Sequence, residues 1–466
     1  MLSDPDLIVG RAATGSSLAG MLYNSIRSHP IVSPHGHTNP AWFALNTPFP
    51  DPARLLIVPD HYVLRMLISQ GVAPEALGIP RRDGGAVETD GRAIWRRFAS
   101  HYPLFQGTPT RLWLDFTFEH LFGLTTRPSA ATADESYDRI AWCLEQDTHL
   151  PRALFTLFGI EVLATTEGPL DDLFHHRAIA ADAWPGRVIT TYRPDAVTDP
   201  ETPDFAANLQ RFGEVTGTDT GAWSGYLEAH RRRRAVFRDH GATATDHGPP
   251  TADTADLAPA EAAALFDRVR HGATGRDAAL FRAQMLTEMA RMSVEDGMVM
   301  QLHPGAVRNH HGGIFSAFGP DRGFDMPART DYVRALAPLL NAVGMERDLT
   351  LILFTLDESA YARELAPLAG AYPCLRLGPA WRFHASPEGM RRYREMTTET
   401  AGFYNTVGFN DDTRAFPSLA ARHDLARRVD CAFLARLVHE RRLTEAEAED
   451  LAPELAGGLA RRAYRL

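Results

Sequence analysis

Residues 31–40 read IVSPHGHTNP, a short run rich in β-branched residues that ends in two histidines spaced two apart, His35 and His37. In a strand, residues i and i+2 face the same side. A strand over 31–35 therefore brings both imidazoles out together at its C-terminal end, near enough to share one metal ion. The chain has 19 histidines, so one His-x-His arises easily by chance. The pair gains meaning from what stands at the ends of the other strands.

Seven further apolar runs follow, at 160–165, 187–192, 242–246, 298–303, 350–355, 374–377 and 404–409. Most lead into a helical pattern, among them 171–181, 222–240, 277–293, 359–368 and 418–440. Alternating strand and helix implies a parallel sheet, and eight such units predict an α/β fold of the (β/α)8 TIM-like barrel type. The run 242–246, ATATD, is the weakest of the eight, since Thr/Ala before a Gly-Pro-Pro stretch also reads as a loop. Residues 38–150 carry helical patterns and no strand. They are expected to form a long, mainly helical insertion after strand one, lying near the barrel mouth. The expected division is thus 1–37 (N-terminal segment and first strand), 38–150 (insertion) and 151–466 (remaining barrel and C-terminal helices).

Composition narrows the function. Of 466 residues, 44% are hydrophobic and 23% charged, which suits an ordinary globular core. The net charge of −10 disfavours a nucleic-acid partner. The basic run Arg231–Arg234 is expected to be a solvated helix face. Three cysteines without CxxC spacing exclude a thiolate zinc site and a disulfide framework and fit a cytoplasmic protein. No basic, apolar leader and no membrane-spanning run is apparent. All 48 basic residues are arginines, which removes carbamylated-lysine centres and Schiff-base chemistry.

In a barrel of this type the active site forms where the strands end. Those ends offer His35 and His37, then Thr165-Thr166-Glu167, Arg193-Pro194-Asp195, Asp246-His247 and His303 with Arg308-Asn309 beyond. Asp357, Trp381 and Asn410-Asp411-Asp412-Thr413-Arg414 complete the set. Helix capping accounts for Asp195, Asp357 and one of the adjacent aspartates. It accounts for neither the three histidines nor Arg193. Two imidazoles and a carboxylate make a three-ligand divalent site with open positions, as in catalytic centres.

The ordered motifs resemble the uronate isomerase (glucuronate isomerase) family of the amidohydrolase superfamily. They are HGH at 35–37, DHYVLR at 60–65, TTEGPLDDLFHHRAIA at 165–180, YRPD at 192–195, HGATATDH at 240–247 and QLHPGAVRN at 301–309. FGPDRGFD at 318–325, LGPAW at 377–381, VGFNDDTRAF at 407–416 and RHD at 422–424 complete the series. The resemblance implies aldose–ketose isomerisation of hexuronates, D-glucuronate to D-fructuronate and D-galacturonate to D-tagaturonate. It also implies a divalent metal, Zn²⁺ first and weakly bound or dispensable, on His35, His37 and Asp412. A small-molecule hexuronate is the expected partner, and a homo-oligomer is left open. The chain departs from the family where PHGH replaces YHCH and PDHY replaces GDHY. Residues 103–124 also lack the histidines of the family's PLYHWTHLEL-type segment.

Isomerisation needs a base, a stabiliser for the enediolate and a carboxylate anchor. Asp412 is the candidate base, Arg414 the cation beside it, and His61 a proton carrier near O1 or O5. Substrate contacts are assigned to Arg193 first and Arg308 second, with Tyr62, His303, Trp381 and Asp246 completing the set. Arg111, from the altered segment, is the alternative carboxylate anchor. The rival enzyme is a mononuclear metal-dependent hydrolase on the same barrel. The rival from another class is a sugar-acid binding protein that has lost its chemistry, which would show damage to His35, His37, Asp412 or Arg414.

Overall fold

The computed structural model describes residues 4, 6–12, 15–359, 361–379 and 381–466. Residues 1–3 of the N-terminal segment, Ala360 in the helical pattern 359–368 and Ala380 of LGPAW lie outside the described residues. Three parallel strands pair in the order β1 (Ile31–Ser33), β2 (Ile160–Ala164) and β3 (Val188–Ile189). Four more, β4 (Ala244–His247), β5 (Val299–Leu302), β6 (Leu351–Leu353) and β7 (Leu375–Leu377), form a second parallel sheet in chain order. Parallel bridges from Tyr192 to Glu167 and to Thr245 join the two sheets, and Leu377 bridges Thr406 beyond β7.

Period two explains which face each strand residue takes. Along β5, Val299 packs with Ala244, Ile352, Val407 and Tyr464, whereas Met300 and Leu302 pack outward on Met285, Met289 and Leu365. Gln301, pointing inward with Val299, accepts a hydrogen bond from the Tyr464 hydroxyl at 2.9 Å. The C-terminal helix Leu459–Tyr464 thereby fills the space between strands with an aromatic ring whose hydroxyl is satisfied.

The run 242–246, weakest by sequence, lies in a fully paired strand, Ala244 to His247 against Val299 to Leu302. The run 404–409 is corrected: it forms no strand and contributes only the bridge at Thr406. Gly408 explains this, with φ +74 and a backbone so close to the Leu455 carbonyl that an added Cβ would lie 2.9 Å from it. Between Ser33 and Ile160 the described residues form helices and turns and no strand. They share a hydrophobic cluster that includes Phe43, Trp95, Phe98, Phe105 and Phe122. One short helix there, His61–Ser69, is capped by Asp60, whose carboxylate accepts from Tyr62 N at 2.8 Å and Val63 N at 3.1 Å. The cap fixes His61 as its first residue. No helix among the described residues is long and apolar enough to cross a membrane.

The arginine run is a second correction. Arg231 and Arg232 do face solvent beside Glu295 and Glu228. Arg233 and Arg234 are buried. At 100° per residue, four consecutive positions on the helix Trp223–Asp239 cannot share one face. Arg234 spans to the helix Arg276–Asp296, donating to Asp296 at 2.6 and 2.8 Å and to Ser293 at 3.0 Å. Arg234→Leu should therefore destabilise the protein by about 3 kcal/mol, since it strands the carboxylate of Asp296. Arg232→Ala should stay within about 0.5 kcal/mol. Denaturant unfolding of both variants compares the two costs.

Candidate active site

The strand ends and the helix that begins at His61 enclose an open cavity of ≈ 770 Å³. Its floor is built by backbone contacts between distant segments. His37 N donates to Thr413 O at 2.9 Å, which sets the residues after β1 beside those after Thr406. Asp411 faces away from the cavity. Its carboxylate takes Thr413 N at 3.1 Å and His423 Nε2 at 3.0 Å, while Arg422 donates to its carbonyl at 3.1 Å. So anchored, the chain turns at Asp412 with φ +47, a left-handed conformation uncommon for a non-glycine residue, and that carboxylate enters the site.

Asp412 meets both histidines there. Its Oδ1 lies 3.2 Å from His37 Nε2 and 3.6 Å from His35 Nε2, and its Oδ2 accepts from Trp381 Nε1 at 2.6 Å. Burial alone would raise the Asp412 pKa. The two imidazoles outweigh it and hold the carboxyl well below its usual range. Beside them, His303 Nδ1 lies 2.7 Å from Asp246 Oδ1, and Arg193 Nη1 lies 3.1 Å from Asp246 Oδ2. Burial drives the His303 pKa down to about 4 despite that neighbour, so the ring is neutral. The His35 and His303 rings stack at 4.7 Å.

Two groups have the spacing of a metal site: His35, His37 and Asp412, and His35, Asp246 and His303. Both are two imidazoles and a carboxylate, a donor set that suits a divalent ion, and both hold buried atoms without a hydrogen-bond partner, Asp412 Oδ1 in the first and Asp246 Oδ2 and His303 Nε2 in the second. The first fits better. In the second group Asp246 is already committed to Arg193 and His303. The His35 and His303 planes are only 24° apart, so their in-plane lone pairs do not converge.

The remaining residues singled out by sequence are also gathered here, with different commitments. His61 Nε2 stands 3.8 Å from Asp321, and burial, then Arg414, lowers its pKa to about 4. Arg414 pairs with Asp321 at 3.1 Å. Tyr62 packs edge-on to Trp113, and Arg422 lies over both rings. Trp381 packs on His303 and directs its N–H at Asp412, so its ring is part of the wall. Arg308 pairs with Asp325 at 3.2 Å. Arg193 does not present a free fork, because Nε is on Asp195 at 3.0 Å and Nη1 on Asp246; only Nη2 remains. Arg111 is held by Asp115 and the Tyr102 carbonyl and does not line the cavity. Asp321, Arg382, Arg422, Arg65 and Asp60 line it without having been assigned roles. Asp321 stands in the quoted FGPDRGFD and Arg422 in RHD, so the signal was present but carried no geometry.

A family model for glucuronate isomerase matches residues 12–456. The chain belongs to the glucuronate isomerase family. A uronate isomerase from Mesorhizobium japonicum is 66% identical over 466 residues, covering 100% of this chain and 99% of the relative. Among solved structures, glucuronate isomerase from Caulobacter crescentus superimposes with a TM-score of 0.94 at 56% identity, covering 96% of this chain and 94% of that one. Uronate isomerase from Thermotoga maritima gives 0.92 at 25% identity, with both chains fully covered.

Two strand ends stay out of this cavity, and Asp357, after β6, stands at one of them. Glu167, after β2, does not line it; Glu167 Oε2 accepts from the Thr165 hydroxyl at 3.0 Å and from Thr190, and lies 3.7 Å from His176. Burial raises its pKa from 4.5 to about 7. A carboxyl raised on folding favours the native state below the unfolded pKa, and that contribution fades as pH rises through the folded pKa. Wild type should lose about 3 kcal/mol relative to Glu167→Gln between pH 4.5 and just above 7. Urea unfolding of both proteins at pH 5 and pH 8.5 measures the difference; parallel curves would mean that Glu167 titrates normally.

Proposed function

We propose that this chain interconverts D-glucuronate with D-fructuronate and D-galacturonate with D-tagaturonate, on a closed (β/α)8 barrel. In this reading the helical region 38–150 is an insertion beside the mouth and 151–466 completes the barrel. The observation that carries the reading is the convergence of His35, His37 and Asp412 in a cavity rimmed by arginines and His61. His35, His37 and Asp412 would hold a divalent ion, Zn²⁺ by donor type. When bound, such an ion polarises a carbonyl or hydroxyl oxygen and stabilises negative charge.

The chain's own residues account for the rest. Asp412, kept ionised by its imidazole neighbours, takes the proton from C2 of the open-chain aldose. The C2–H electron pair forms the C1=C2 bond as the carbonyl pair moves to O1, and the enediolate results. Proton delivery to C1 and transfer of the O2 proton to O1 then give the ketose. C1 is reduced, C2 is oxidised, and no external redox partner is required. Arg414 supplies fixed positive charge close to Asp412. His61, neutral and at the mouth, carries a proton at O1 or O5.

The uronate carboxylate is placed between the free ends of Arg193 and Arg308. Gly248 lies between them, and an added Cβ would stand 2.4 Å from Arg193 Nη2 and 2.6 Å from Arg308 Nη2. A side chain there would drive the two guanidinium groups from the anion's place. Asp412→Asn should keep its fold and lose isomerisation by at least about a hundredfold, since an amide takes no proton. Gly248→Ala and Arg193→Met should chiefly raise KM for hexuronates, costing about 2 kcal/mol in kcat/KM, and change neutral aldoses much less. Ketose formation from D-glucuronate, D-galacturonate and neutral hexoses tests both; full turnover by Asp412→Asn would place the base elsewhere. Bound zinc should fall from one ion per chain to much less in His37→Ala, as measured by metal analysis after dialysis.

A further inference from the structure

The loop 319–325 contains two aspartates that do different work. Asp325, buried, holds the loop: its Oδ1 accepts from Asn309 N at 2.9 Å, and its Oδ2 lies 3.2 Å from Arg308 and 3.3 Å from Arg382. Asn309 in turn accepts from Asp321 N at 3.1 Å. Gly323, with φ +86, lies directly on His61; an added Cβ would stand 2.9 Å from the His61 carbonyl. These contacts secure the loop over the site without using the Asp321 carboxylate.

That carboxylate is spent elsewhere. Asp321 adopts φ +63, a conformation that aspartate tolerates better than most residues, and its side chain is half exposed at the cavity mouth. Its oxygens stand 3.1 and 3.3 Å from Arg414 Nη2 and 3.8 Å from His61 Nε2. Arg414 comes from the segment after Thr406, His61 from the helical region, and Asp321 from the segment after β5. Three distant pieces of chain thus meet on one carboxylate, which neither caps a helix nor closes its own turn.

We propose that Asp321 is a positioning residue for the isomerisation, holding Arg414 and His61 in mutual register at the mouth of the site. The inference rests on the functional reading above and assigns a role that the strand-end residues do not supply. A carboxylate that orients an imidazole fixes which nitrogen faces the reacting oxygen, and the fixed charge of Arg414 keeps that carboxylate ionised. Such contacts are often long in the free enzyme and tighten on substrate.

The test compares Asp321→Asn, Asp321→Glu, His61→Asn and the double variant Asp321→Asn/His61→Asn with wild type, using D-glucuronate and D-glucuronate deuterated at C2. Asp321→Asn should lower kcat by about tenfold or more, with KM within about twofold and the melting temperature unchanged. Its isotope effect on kcat should exceed that of wild type, because proton transfer becomes more fully rate-limiting. Asp321→Glu should recover part of the rate. The double variant should be no slower than His61→Asn, as expected of groups that act as a unit. Unaltered kcat in Asp321→Asn, or losses that multiply in the double variant, would overturn the positioning role while wild-type turnover left the functional reading intact. Absence of ketose formation by wild type would overturn both.

Discussion

Everything at the site depends on one largely buried carboxylate, that of Asp412. Placing the Asp412 charge out of water is costly unless it is closely matched, and three side chains from two other parts of the chain do the matching: His35, His37 and Trp381. The same arrangement keeps Asp412 ionised and aims its two oxygens differently, Oδ2 at the indole N–H and Oδ1 at the imidazoles. The neighbouring Asp411 makes this possible by anchoring the turn to His423 and Thr413. Adjacent aspartates thus point apart, one bound into the scaffold and one lining the cavity.

Around that centre the protein manages charge almost entirely with guanidinium groups. Arg193 is balanced by Asp246 and Asp195, Arg414 by Asp321, and Arg308 and Arg382 jointly by Asp325. Planar, permanently charged groups with several donors can serve an internal carboxylate and still present a free N–H to a ligand. The pattern extends into the scaffold, where Arg234 with Asp296 and Arg394 with Asp430 tie helices together below the surface. A chain without lysine has in these places the residue best suited to shared, directional pairing.

The helical region between β1 and β2 contributes more than cover. Its core of aromatic side chains carries Asp60, which caps the helix that begins at His61 and so delivers that imidazole to the mouth. Segment 103–124 contributes Trp113, which packs under Arg422 and beside Tyr62, while its Arg111 is committed to Asp115. This segment therefore touches the wall of the cavity only through Tyr62 and Arg422, and none of its own residues lines the cavity.

The sequence by itself determined the parallel order of the strands and the end of each at which chemistry collects. Both follow from local periodicity, alternation of two in strands and 3.6 in helices, and each can be counted along the chain. It also supplied His35, His37 and Arg193, because a strand end leaves few positions to choose among, while Asp412 and His61 came from the resemblance of the ordered motifs to the family. Only the tertiary structure decided that Asp411 faces away while Asp412 faces in, that Arg193 has one nitrogen to spare, that Arg234 is buried, and that Asp321 joins His61 to Arg414. Those outcomes hang on contacts between separate segments, from Arg234 with Asp296 to His37 N with Thr413 O. A loop side chain takes its direction from the backbone it is tied to, and no period in the sequence records that tie.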